Sequence, residues 1–158
     1  MIVLGIDPGT QILGWGVVDG DGKNRLRLIE SGIYRVGSRK PASGLAKIYD
    51  AVSEIIEKHS PNILVVESPF YGLNVKTLIR LGEARGAILL CAYHNNVSIE
   101  SISPAEAKLA LTGNGNATKN QVAYMVKNIL NIKEDIPLDT SDAIAIAIAY
   151  LHRQKISA

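Results

Sequence analysis

Met1-Ile-Val-Leu-Gly-Ile-Asp-Pro-Gly-Thr10 opens the chain, and its reading decides the fold. The run Ile2 to Ile6 is continuously apolar, ends on one carboxylate, Asp7, and breaks at Pro8-Gly9. A short unbroken apolar run closed by a turn signal is the pattern of a strand buried on both faces. Pro8 fixes its own φ and Gly9 accepts left-handed angles, so the strand stops at Asp7. An isolated Asp-Pro-Gly is also an ordinary turn. Its meaning depends on whether other carboxylates reach the same sheet edge, where ligands bind in open α/β sheets.

Working outward, Ile12 to Val18 returns across a very short connection, which implies an antiparallel hairpin. Gly14 and Gly16 bracket Trp15, leaving backbone open to close approach by another element or by substrate. Asp19-Gly-Asp-Gly22 reads as a turn, and Arg25 to Val36 alternates as a third antiparallel strand. Gly37 to Ser43 reads as a polar loop. Leu45, Ile48, Tyr49, Val52, Ile55 and Ile56 then fall at helical spacing and predict an amphipathic helix. Asn62 to Glu67 is a second apolar strand ending in an acid. Strand, helix, strand makes a crossover, so this strand should lie parallel to the first. Asp7 and Glu67 then emerge at one edge.

Asn74 to His94 predicts a long helix. Gly82 and Gly86 cost stability in a helix interior, and their spacing suits close approach by another helix, within the chain or across a dimer. Val97 to Ile102 reads as a strand. Ser103-Pro-Ala-Glu106 and Thr118-Lys-Asn-Gln121 each pair a cap with a reciprocal partner, starting helices on either side of the loop Thr112 to Asn116. Asp139-Thr-Ser-Asp142 leads into Ala143-Ile-Ala-Ile-Ala-Ile-Ala149. That alternation imitates a strand, but its length, its alanines and its cap-like start predict a buried helix.

The 158 residues, 47% hydrophobic, suit a single domain spanning 1–158 and exclude a disordered chain. A net charge of +2 permits a nucleic-acid partner without demanding one. The one cysteine, Cys91, cannot form an intrachain disulfide and reads as a buried thiol in a reducing compartment. No leader and no bilayer-length apolar run is evident, so the expectation is a soluble, cytoplasmic protein with no membrane partner.

Four acids stand out: Asp7, Glu67, Asp139 and Asp142. Asp139 and Asp142 share one helical face near its first turn, which is also ordinary helix-start chemistry. If all four meet above one sheet edge, their mutual repulsion calls for a hard divalent cation. Oxygen-only ligands favour Mg²⁺ or Mn²⁺, and two such ions ~4 Å apart clamp the oxygens of a phosphodiester displacement. No zinc-ligand spacing, Walker loop or Gly-x-Ser-x-Gly motif occurs.

Gly5-Ile-Asp-Pro-Gly9, Glu67 followed by Phe70, Leu81-Gly-Glu-Ala-Arg-Gly86, Lys108, Lys119 and Asp139-Thr-Ser-Asp-Ala143 occur in the order and spacing of one family. Over nearly the whole chain they resemble RuvC, the bacterial Holliday-junction resolvases. The resemblance implies a ribonuclease H-like α/β fold: a mixed five-stranded sheet, three antiparallel strands then two parallel, flanked by helices. It implies a homodimer that nicks four-way DNA junctions in symmetric pairs, leaving 5′-phosphate and 3′-hydroxyl ends, in recombination and repair. Asp7, Glu67, Asp139 and Asp142 are then catalytic metal ligands for two Mg²⁺ per subunit, with Asp7 shared and Mn²⁺ a substitute. Lys108 and Lys119 lie near DNA, Lys119 within the catalytic set. Phe70 falls near the junction centre, where an aromatic stacks on an unpaired base for ~1–3 kcal/mol. Tyr71, Lys76 and Arg80 are further candidates for DNA contact. A branch-migration motor is the protein partner the family implies.

Two other readings compete. Gly-Ile-Asp-x-Gly-Thr before a hairpin also resembles the first phosphate loop of actin-like ATPases and sugar kinases, which need a second domain. A junction-binding scaffold, its acids serving only as caps and turns, is the non-enzymatic alternative.

Overall fold

The opening run forms β1 (Ile2–Asp7), and the chain returns as β2 (Ile12–Gly20) and β3 (Leu26–Arg35). The computed structural model describes residues 1–21, 25–37, 40–69, 72 and 74–156. α1 (Pro41–His59) crosses over to β4 (Ile63–Glu67), and α2 (Val75–His94) crosses to β5 (Ser98–Ile102). α3 (Pro104–Thr112), α4 (Lys119–Leu130) and α5 (Leu138–Ile156) follow. The strand order is β3-β2-β1-β4-β5. β1 pairs antiparallel with β2, and β2 with β3. β1 pairs parallel with β4, and β4 with β5. Asp7 and Glu67 therefore leave the sheet on adjacent parallel strands, just past the paired residues Ile6 and Val66.

Local chemistry set several boundaries differently from the periodicity. Asp19 and Gly20 belong to β2 rather than to a turn, because the N-terminal ammonium and the Met1 carbonyl tie that end to β1. α1 begins at Pro41, inside the expected loop, where proline suits the first helical turn. Gly9 takes no left-handed angle. Glycine is needed there because a side chain would collide with the Ile12 carbonyl across the turn. Both capping boxes form, at Ser103 with Glu106 and at Thr118 with Gln121.

Alternate side chains of the central strands feed two cores. Leu4, Ile6, Leu64 and Val66 pack under α1 and α2. Val3, Ile63, Val65 and Ile102 pack under α3, α4 and α5. Full burial of each such side chain contributes ~1.5–3 kcal/mol. Asp7 alternates with Val3 and Gly5, so it faces the α5 side.

α5 lies unusually close to the sheet. A methyl at Gly5 would collide with the Ala143 carbonyl, and one at Gly14 with the Asp139 carbonyl. One at Gly16 would strike the Ile144 side chain. The helix thus runs along β2 in a trough of glycines, and its residues 143–151 are all buried. This explains the alternating alanines and isoleucines: small residues let the helix down onto the strands, and the larger ones fill the space around it.

Candidate metal centre

β1 delivers Asp7, and the start of α5 delivers Asp139, in its first turn, and Asp142, in its second. Each offers a carboxylate oxygen, and the three oxygens lie within 4.8 Å of one another. Glu67, from the end of β4, lies outside that group of three. It stands near enough that its charge is the strongest influence on the Asp7 carboxyl after burial. Burial, then the negative charges of Glu67 and Asp142, push the Asp7 carboxyl from 3.8 up to about 8; Asp139 adds to the rise and Lys119 opposes it. Burial and the Asp142 charge likewise raise Glu67, with Lys119, Asp7 and Lys108 pulling it back. Without a cation, Asp7 therefore holds a proton near neutrality. The donor set is oxygen only, which fits a hard divalent cation.

Lys119, the first residue of α4, reaches the acids directly: its Nζ lies 2.9 Å from Asp142 Oδ2. That hydrogen bond, chiefly, raises the Lys119 ammonium and keeps it charged. Lys108, on α3, is half-buried and near enough to influence the Glu67 carboxyl. The capping boxes aim these two lysines by starting α3 and α4 at defined residues. Lys76 and Arg80 are exposed on the first turns of α2. They line a groove of about 980 Å³ with Thr10 and Gln11, just past Asp7, rather than joining the acids. Phe70 and Tyr71 lie outside the described residues.

One contributor, Thr140, went unread in the sequence, and another, Gly14, was read only in part. The Thr140 hydroxyl, between the two α5 acids, donates to the Gly32 carbonyl of β3 at 3.1 Å. Gly14 pairs with Asp7 across β1 and β2 and underlies Asp139. The sequence signalled close approach at Gly14, but not that the approaching element was α5.

Acids gathered from two adjacent strand ends and a helix start, on a mixed sheet of this order, define a metal-dependent nuclease of the ribonuclease H-like fold. The family described as crossover junction endodeoxyribonuclease RuvC matches residues 3–150. The RuvC of Dictyoglomus turgidum is 39% identical over 163 residues, covering 98% of this chain and 99% of that protein. The solved Thermus thermophilus RuvC in complex with Holliday junction substrate is 33% identical, with a TM-score of 0.92 over 99% of this chain and 96% of that one. A yeast mitochondrial Holliday junction resolvase shares the fold, with a TM-score of 0.73 at 13% identity. The chain belongs to the RuvC family of crossover junction endodeoxyribonucleases. Among the described residues no helix is long and apolar enough to cross a membrane.

Proposed function

We propose that this protein, acting through one domain over residues 1–158, is a homodimeric resolvase of four-way DNA junctions that makes paired nicks with Mg²⁺ held by Asp7, Glu67, Asp139 and Asp142. The observation that carries this reading is the convergence of three carboxylate oxygens within 4.8 Å beside a fourth acid, Glu67, whose charge acts on Asp7. When bound, divalent cations supply charge neutralisation and polarisation of the scissile phosphate.

The chain's own groups do the rest. Asp7, between Glu67 and the α5 pair, gives up its proton as the cations arrive. Lys119 has three N–H donors, so it can hold Asp142 and still meet a phosphate oxygen where negative charge builds in the transition state. Lys108 stands on the Glu67 side of the centre and neutralises a neighbouring phosphate. Lys76 and Arg80 serve the strand beyond the cut along the groove that starts at Thr10. Phe70 and Tyr71 complete the DNA-contacting set.

A stripe on α2 supports the dimer. Val75, Ile79, Leu90 and Tyr93 are exposed at helical spacing, and Gly82 and Gly86 complete the same stripe. Among the described residues nothing lies within 4 Å of where a side chain at either glycine would begin. Packing against the described residues therefore does not account for them. A second copy, related by the twofold axis that a four-way junction shares, fits the face.

The test is nicking of synthetic four-way and linear duplex DNA, in Mg²⁺ and in EDTA, with the native protein and Asp7→Asn. Symmetric cuts confined to the four-way DNA, needing Mg²⁺ and absent from a still-binding Asp7→Asn, are expected. Equal cutting of linear duplex, or cutting in EDTA, overturns the reading.

A further inference from the structure

The first five residues of α5 hold two of the acids, yet they start a helix that must be set down on the sheet in one position. Its two seating contacts lie on adjacent rows of the sheet. In one row Asp7 of β1 pairs with Gly14 of β2. There the Asp139 carbonyl and Cβ sit so close above Gly14 that any side chain would displace them. In the next row Trp15 of β2 pairs with Gly32 of β3, whose carbonyl accepts the Thr140 hydroxyl at 3.1 Å. Thr140 is 1% exposed. The neighbouring Ser141 is equally buried, and its Oγ has no partner among the described residues, so burial of a hydroxyl here does not by itself create the bond.

We propose that Gly14 and Thr140 are positioning residues of the metal centre: Gly14 sets the height of the first turn of α5 and Thr140 its lateral place, which together hold Asp139 and Asp142 opposite Asp7. Neither residue offers a ligand. Each acts through the acids beside it. A shift of 1 Å in that turn would move two of the three clustered oxygens relative to the third, a displacement of the size that degrades preorganised sites. The inference rests on the metal-centre reading above.

Mn²⁺, titrated calorimetrically and by its paramagnetic resonance, is the probe. Native protein and Asp7→Asn are compared first. Binding by the native protein that is weakened in Asp7→Asn secures the metal centre, and no binding by the native protein removes the centre and this proposal with it. Thr140→Val keeps the side-chain shape and deletes the hydroxyl. It is expected to bind Mn²⁺ at least tenfold more weakly and to cut with a lower kcat, while four-way DNA binding in EDTA stays unchanged. Thr140→Ser, which restores the hydroxyl, is expected to recover Mn²⁺ affinity, and Thr140→Ala to lack it. The Ser and Ala variants differ only in that oxygen, so their comparison stands even where Thr140→Val folds poorly. Gly14→Ala is expected to weaken Mn²⁺ binding as well. Native-like Mn²⁺ affinity in Thr140→Val, or equal affinity in the Ser and Ala variants, overturns the role of Thr140. A lowered melting temperature with unchanged Mn²⁺ affinity makes both residues structural only.

Discussion

Gly5, Gly14 and Gly16 lie beneath α5 with no room for a methyl group, whereas Gly82 and Gly86 lie in α2 with no described atom within 4 Å of where one would stand. Glycine weakens strands and helices alike. Under α5 that cost is offset within the chain, by a helix lowered far enough to bury its whole circumference over residues 143–151. On α2 no described part of the chain offsets it. The same residue type therefore marks two surroundings: one packed tightly under α5, and one open among the described residues, where we propose the partner copy docks.

Five expectations sharpen or break this contrast, in descending size. Asp7→Asn removes the acid on which the α5 end converges, and the cutting rate should fall by roughly 10³-fold, the scale of losing a major electrostatic contributor. A time course on four-way DNA measures it, and a loss under tenfold would place the chemistry elsewhere. Gly5→Ala forces a methyl into the Ala143 carbonyl and should cost at least about 3 kcal/mol of stability. Urea unfolding reads this; a near-neutral result would mean that α5 is free to lift.

The third concerns pH. The Asp7 carboxyl is raised from 3.8 to about 8 in the folded chain. Its proton is thus bound more tightly folded than unfolded, a contribution fully present below pH 3.8 and lost as pH rises through about 8. Glu67, also raised, acts with the same sign. Cation-free protein should accordingly melt lower at pH 8 than at pH 5, and Mg²⁺ should restore more at pH 8. Asp7→Asn should flatten the slope and melt above the native protein at pH 8 in EDTA. An equal slope in both would put the pH-sensitive group outside this centre.

Lys119→Ala comes next: cutting should slow by about tenfold while DNA binding changes little, as for loss of one charge stabiliser. An unchanged rate would leave Lys119 as a counter-ion to Asp142 alone. Gly86→Ala is the smallest effect and runs the opposite way from Gly5→Ala. With open space around it, alanine should stabilise the isolated helix by up to ~1 kcal/mol while weakening self-association in sedimentation. Unaltered self-association would take α2 out of the dimer interface.

Much of this was readable along the chain because it is local. β1 and β4 announce themselves as apolar runs ending in an acid, and their crossover connection settles that both acids reach one edge. Ser103 and Thr118 reveal the starts of α3 and α4 because a cap and its partner lie within one helical turn. The motif Asp139-Thr-Ser-Asp142 was legible as a helix start carrying two acids. It was not legible that the helix begins at Leu138, placing Asp139 inside the first turn rather than at a cap. Nor did spacing show that Asp7, Asp139 and Asp142 form the tight group while Glu67 stands outside it. Those distinctions depend on ångström-level placement of elements that periodicity leaves free.

Order along the chain was enough to set the sheet's polarity, the family, and which side chains are acids at element ends, since each depends on neighbours a few residues apart. Folding in three dimensions alone assigned Lys119 to Asp142, Thr140 to the Gly32 carbonyl more than a hundred residues earlier, and opposite fates to two sets of glycines. The reason is physical. A glycine's purpose is written in the atom that approaches it, and that atom belongs to whichever distant segment the packed cores bring near.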